Sequence, residues 1–416
     1  MQKDNISFIY KSIIIFLLIN SFYIYPPINS SFLAPLFSLF YLCHTNKYKF
    51  KVYFFYEPYF LLLLLSILFM AGINILITSF HNKYDFTYTS NFISQFIQLF
   101  FIVFTISIIN NEDKKNKLEY YIITSFVLQS IIQIFGFIFP SIAEIIHLSY
   151  PEDKIARLYT DYGGIRGLAL TGSPGWGLSV GYAICFVLYT KNYLIIKTKI
   201  PYSTYLIGIL LFIGAFFSGR TAFLGILFSA IYYILKMGSK NFFYLTIKII
   251  ILLIILSLSI MILFNDIWLI FQNKVFPFVF EMFYNLSNTG NLTSKSTNIL
   301  SKMWDVNINT SEFLLGSGLF TDSDNNSYYK SIDVGYLRNI LYGGIGWELL
   351  LILYQTIIFF LFSKRTNSFL LENFILFFML LLLEAKAMTI GYNKYMFTII
   401  VIYTYSLILQ GKKNVA

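Results

Sequence analysis

Apolar stretches long enough to cross a membrane follow one another along most of this chain. That repetition restricts its fold more than any single motif does. A spanning helix needs about 20 largely apolar residues, because the hydrocarbon core is about 30 Å thick and a helix rises about 1.5 Å per residue. Such stretches are read at 8–26, 30–44, 56–80, 90–109, 119–139, 174–190, 203–217, 221–236, 242–264, 334–362, 369–386 and 392–410. The second is short and contains Pro35. The expected fold is all-α: a polytopic integral membrane protein with about twelve transmembrane helices in one transmembrane domain, 1–416. Composition agrees, since 12% of residues are charged against about 25% in soluble domains. A transmembrane β-barrel would show short alternating segments instead.

The connections set the orientation. "NKYKFK", "NNEDKKNK", "KNYLIIKTK", "KMGSK", "SKRTNS" and the tail "GKKNVA" hold most of the lysines. They fall on one side if both termini are cytoplasmic, as the positive-inside bias requires. The same distribution argues against nucleic acid as the reason for the net charge of +10. The first apolar run leads into "YPPINSS" without a clear cleavage site and is expected to be a retained helix. Cys43 and Cys185 lie far apart in or beside apolar runs, and His44, His81 and His147 are scattered. No metal-ligand spacing is present, so neither a metal nor another cofactor is expected.

Two outward connections are long. The first outer loop is read at 140–173 and the second at 265–333. The second includes the amphipathic stretch "DIWLIFQNKVFPFVFEMFYNL", expected to form a helix lying on the membrane or the bundle. Its aromatic content argues that the loop is folded. No internal repeat is visible.

Arginine departs from the lysine pattern. Of Arg157, Arg166, Arg220, Arg338 and Arg365, only Arg365 falls on the cytoplasmic side. The guanidinium fork binds two oxygens of a phosphate at once, so a gathering of arginines on the outer face is expected to bind phosphate groups of a lipid headgroup. For each arginine, a snorkelled charge or an internal ion pair is the competing role. Two stretches stand out. In "SGRTAFLG", Ser218 and Gly219 end one helix, Arg220 follows, and free N–H groups at the next helix start favour an anion. In "SIDVGYLRNILYGGIGW", Asp333 precedes Arg338 by five residues, and Gly343, Gly344 and Gly346 suit close helix contact.

Those two stretches, the long late outer loop, and "RGLALTGSPGWG" at 166–177 resemble the O-antigen polymerase and ligase superfamily. The resemblance covers about 150–350 through motifs and the rest through helix number alone. It implies a polymerase in the bacterial inner membrane, joining oligosaccharide repeat units carried on undecaprenyl diphosphate at the periplasmic face. Its partners would be that lipid-linked oligosaccharide and the bilayer, with a chain-length regulator left open. In the ligase branch the late helix opens with a histidine; here that position is Asp333, and the late loop has no histidine. This departure favours polymerase over ligase and leaves the base unsettled.

Catalysis of that kind needs charge stabilisation at the diphosphate and a base for the incoming hydroxyl. Arg220 and Arg338 are the catalytic cations expected, with Arg157 and Arg166 as further binding groups. Asp333 is the candidate base, with helix N-cap as its equal alternative. Asp322, Asp324 and Asp161 follow as substitutes. Tyr336, with Tyr159, Tyr162, Tyr328 and Tyr329, is placed for stacking on sugar rings, though interfacial aromatics are common in any membrane protein. Two rivals remain: a ligase-type glycan transferase and a lipid-linked oligosaccharide flippase. A flippase would show two comparable halves and ionisable groups deep within helices.

Overall fold

The computed structural model describes residues 2–25, 28–44, 58–110, 118–151, 155–156, 158, 166–196, 201–263, 268–269, 272–273, 276–322, 328–360 and 370–413. The described residues are all-α apart from one two-stranded ribbon. In order, α1 is Gln2–Asn20, and the antiparallel strands β1 (Tyr23–Tyr25) and β2 (Ile28–Asn29) follow. Next come α2 (Ser30–His44), α3 (Pro58–Phe80), α4 (Thr87–Asn110), α5 (Leu118–Ile138) and the short α6 (Pro140–His147). Then α7 (Trp176–Tyr189) runs on as a π-helical turn, Thr190–Ile195. The next three are α8 (Tyr202–Ser218), α9 (Phe223–Met237) and α10 (Ser239–Leu263). The described part of the late loop holds a single helical turn, Phe276–Val279, and then α11 (Glu281–Thr289), α12 (Lys295–Trp304) and α13 (Thr310–Leu315). The last three are α14 (Gly335–Phe360), α15 (Leu370–Glu384) and α16 (Lys394–Lys413).

Among the described residues, seven helices are long and apolar enough to cross a membrane: α3, α4, α5, α7 with its π-turn, α9 with its leading turn, α10 and α14. Shorter apolar helices occupy Ser7–Asn20, Ser30–His44, Tyr202–Ser218 and Lys394–Ile408. The most buried of the seven is α7, whose residues from Gly177 to Tyr189 are all shielded, so it is the central post. By contrast α10 is largely exposed along its apolar length, as a lipid-facing helix would be.

Four local expectations change. The first helix stops at Asn20, where the Asn20 amide bonds back to the Phe16 carbonyl at 3.0 Å and Ser21 turns to positive φ. The ribbon then occupies the residues expected to extend that helix. The amphipathic stretch of the late loop is not one helix, because its described part divides into a turn at Phe276–Val279 and α11. Between α8 and α9 the chain makes a 3₁₀ turn, Arg220–Ala222, before α9 begins at Phe223. The glycines of α14 do more than allow close contact. Gly343 and Gly344 leave helical geometry, and Gly344 has φ +74°.

That break is filled from outside the helix. The Leu341 carbonyl accepts from the Ser317 amide at 2.7 Å, and the Tyr342 carbonyl from the Gly318 amide at 2.9 Å. The segment after α13 thus enters the bundle. His81, just past α3, meets the Leu315 carbonyl at 3.1 Å, and Asp85 takes the amides of Phe320 and Thr321, each at 2.8 Å. Burial works to raise the Asp85 carboxyl, but the hydrogen bonds it accepts from Thr87, Thr321 and Phe320 outweigh that and hold it below its ordinary value.

A side chain at Gly344 would strike the Leu314 carbonyl in a backbone conformation that L-residues avoid. Gly344→Ala is therefore expected to cost more than about 1 kcal/mol and to lower the midpoint of thermal unfolding in detergent. Gly346, whose Cβ would meet nothing, is the control. An unchanged midpoint for Gly344→Ala would mean that the break is not a fixed part of the fold.

Candidate functional site

Residues from seven stretches of chain meet at one end of the bundle around a cavity of about 460 Å³. The end of α1, the ribbon, the start of α4, the start of α7, Tyr328, the residues around Asp333 and the start of α16 all contribute. Polar and apolar residues share the lining, the polar ones including Asn20, Ser90, Asn91, Ser173 and Asn393. Two cations, Arg338 and Lys394, and one carboxylate, Asp333, also line it. A second cavity of about 230 Å³, between α7, α8, α9 and α10, has apolar walls and no charged residue.

Arg338 is the most constrained of these groups. It sits one turn into α14 with 4% of its surface exposed. Its guanidinium carbon lies 3.4 Å from the Tyr328 ring centre and 3.8 Å from that of Phe320. The cation sits against both rings, which stand at 68° to one another, an arrangement that suits a delocalised cation better than an ammonium. Asp333 approaches Nη1 at 3.8 Å. Nε and Nη2 are buried and have no hydrogen-bond partner among the described residues. Buried donors in native structures are nearly always satisfied, so two unspent donors on a cavity wall point to a ligand oxygen.

Asp333 is half exposed. The first backbone bond of α14 runs from the Arg338 amide to the Val334 carbonyl, so Val334 and not Asp333 holds the cap position. The cap role considered for Asp333 loses its geometric basis.

A second positive group lies beside the cavity. Lys386, in the link between α15 and α16, donates to the Thr221 hydroxyl at 2.6 Å and sits 6.0 Å from the ring centre of Trp176, a cavity residue. Its ammonium pKa is pulled down to about 8, first by burial and then by Arg166 and Arg220, with Asp333 opposing. Arg166 packs against Gly219, where a Cβ would stand 3.0 Å from its Nη2. The room that Gly219 provides at φ +147° is therefore taken by Arg166. Arg220 is engaged by the late loop: its Nη1 meets Glu281 at 2.9 Å and its Nη2 the Ser296 hydroxyl at 3.1 Å.

A buried network fixes these parts. Glu384, the last residue of α15, accepts from the Thr389 and Ile390 amides at 2.6 and 2.7 Å and from Asn339 at 3.1 Å. Tyr88 donates to the other end of the Asn339 amide, and the Trp176 indole to the Met388 carbonyl at 2.8 Å. The link carrying Lys386 is thereby tied to α14 beside Arg338.

The sequence expectations divide as follows. Arg338 and Asp333 share the cavity wall; Arg166 and Arg220 lie beside Lys386 and do not line it. Tyr336, expected to stack on sugar, is not among the lining residues, and its hydroxyl donates to the Leu381 carbonyl at 2.7 Å. Tyr328 covers Arg338, while Tyr329 turns toward Glu312. Arg157, Tyr159, Asp161, Tyr162 and Asp324 lie outside the described residues. Sequence reasoning missed Lys386, Lys394, Phe320 and the polar residues of α4. A signal existed for the lysines: both stand in "EAKAMTIGYNK", a short link between two apolar runs. Among the described residues no three His, Cys, Asp or Glu side chains gather as a metal site would require.

No protein-family model, no curated protein and no solved structure matches this chain.

The lowered Lys386 pKa carries a pH signature. The ammonium is charged below about 8 and neutral above it, so anion binding that uses it weakens as pH rises through that value. Sulfate keeps a constant charge over this range. Its affinity for the detergent-solubilised chain should fall between pH 7 and 9, and Lys386→Met should remove that fall. A pH dependence unchanged in Lys386→Met would mean that Lys386 takes no part in binding the anion.

Proposed function

We propose that this chain is a glycan polymerase of the bacterial inner membrane, moving an oligosaccharide from a lipid diphosphate carrier onto a second lipid-linked unit. The observation that carries the reading is Arg338: a buried guanidinium clamped between Phe320 and Tyr328, with Nε and Nη2 unspent on the wall of a polar cavity. That edge matches two oxygens of a diphosphate. Further positive charge from Lys386, Arg166 and Arg220 lies beside it. The motif resemblance to the polymerase and ligase superfamily gives the carrier, undecaprenyl diphosphate.

In the proposed reaction the acceptor hydroxyl attacks the anomeric carbon of the donor sugar. The new glycosidic bond forms as the carbon–oxygen bond to the diphosphate breaks, and the diphosphate leaves with the electron pair. Arg338 holds the charge that develops there. Asp333, half exposed beside Arg338, takes the hydroxyl proton.

The reading places the cavity at the periplasmic face, with twelve spans and both termini in the cytoplasm. The alternation of ten of those helices supports the reading. The ends of α1, α3, α5, α8 and α15 and the starts of α4, α7, α9, α14 and α16 all lie at the cavity's end of the bundle. Reporter fusions near residues 115, 195, 238 and 413 should behave as cytoplasmic, and fusions near 155 and 295 as external. A cytoplasmic signal at 295 would put Arg338 on the wrong side for this chemistry.

Arg338→Ala and Asp333→Asn should each reduce the cell-surface glycan ladder to a single repeat unit with membrane protein levels near normal. The Asp333 effect should be about 10²–10⁴-fold in rate, the usual worth of a general base. Arg338→Lys should also fail, since an ammonium loses both the stack and the fork. Normal ladders from Arg338→Lys would show that a point charge is enough. Normal ladders from Asp333→Asn would end its role as base and turn the search to Asp322.

A further inference from the structure

The cavity has a second chamber. A space of about 210 Å³ adjoins it, and the two share Ser21, Asn29, Ser90, Ser94 and Lys394. Beyond those residues the walls are mostly apolar, with Phe32 of α2 and Ile93, Ile97 and Phe101 of α4 beside the polar Ser31 and Gln98. Phe32, Ile93 and Ile97 are 44%, 52% and 41% exposed, on helices of apolar surface. A polar chamber therefore gives way, along the seam between α2 and α4, to exposed apolar side chains.

Lys394 stands where the chambers join. It is exposed to the cavity and makes no hydrogen bond or ion pair among the described residues. It is also the first residue of α16, where the helix dipole is positive and a cation is unfavourable. Asp333, the only carboxylate lining either chamber, lies at Arg338. A bound anion at Lys394 would offset both positive fields.

We infer that Lys394 and the second chamber form a second lipid site, taking a phosphate- or diphosphate-headed lipid with its head at Lys394 and its chain along the α2–α4 seam. The inference rests on the proposed function only for the identity of that lipid. Under that reading it is the acceptor unit, while the donor lies against Arg338. The two headgroups are then bound at opposite parts of one cavity.

Native mass spectrometry of the full chain in detergent, titrated with undecaprenyl diphosphate, tests this. The unaltered chain should bind two copies. Lys394→Glu should weaken one of them by at least about tenfold, equivalent to about 1.4 kcal/mol. Ser94→Trp, which fills the chamber and leaves Lys394 in place, should do the same. Arg338→Ala should remove the other copy. Two copies retained by both Lys394→Glu and Ser94→Trp would overturn the second site. Two copies retained by Arg338→Ala, with one lost in Lys394→Glu, would leave the second site standing and remove the assignment of Arg338. Inorganic diphosphate serves as a probe of a free anion. Lys394-dependent binding of it without a second lipid copy would overturn the lipid assignment.

Discussion

The carbonyls of Leu341 and Tyr342 are the obligation around which this end of the molecule is built. They are freed where α14 breaks at Gly343 and Gly344. In hydrocarbon an unpaired backbone group costs several kcal/mol, so broken spanning helices persist only where something else supplies the partner. Here the amides of Ser317 and Gly318 supply it. Once those residues are drawn in, Phe320 follows two positions later and reaches the face of Arg338. Asp85 secures the next turn through Phe320 and Thr321, and the bridge between Thr321 and Tyr328 returns the chain so that the second aromatic closes on the guanidinium. The clamp around Arg338 is thus a consequence of a backbone requirement met from the late loop.

The cations at this end are held in different ways, and the difference ranks them. Arg220 spends its donors on Glu281 and Ser296, so it anchors α11 and α12 to the α8–α9 turn as much as it adds charge. Arg166 fills the space over Gly219 and raises the local potential from behind. Lys386 is buried among them and gives up its proton more readily than a free lysine does. Only Arg338, itself a cavity residue, keeps a pair of buried donors with no partner among the described residues. A permanent charge is required for that role, because an ammonium in the same surroundings would be pushed toward neutrality as Lys386 is.

Long apolar runs made the class of fold legible, because length and hydropathy are local properties. The position of Arg338 was legible for a related reason: an arginine beside an apolar run has few structural excuses. What could not be read was anything that depends on a distant partner. The glycines of α14 spell helix contact and helix break with the same letters, and Ser317 decides between them. Gly219 offers room without saying that Arg166 takes it. Lys386 and Lys394 were hidden by the lysine bias itself, which made lysine look like a topology marker everywhere. Ser90, Asn91 and Ser94 read as ordinary small polar residues of a helix until the cavity shows which face they share.

Asp333 and the clamp together settle how one planar group could serve two tasks. Asp333 approaches Nη1, while the unspent donors are Nε and Nη2. A bidentate oxyanion on the Nε and Nη2 edge would therefore not displace the carboxylate, and the carboxylate would not compete for that edge. The 3.8 Å separation is too long for a hydrogen bond, so Asp333 is attracted to Arg338 without being consumed by it. Its side chain is half exposed and lines the same cavity. Under the proposed chemistry the leaving group and the proton acceptor are then kept apart by the rigidity of a single side chain, which Phe320 and Tyr328 hold from two sides. Truncating either ring would loosen the plane without removing any charge. The defect in such a variant would be one of geometry, where a shift of about 1 Å can cost about 10²-fold in rate.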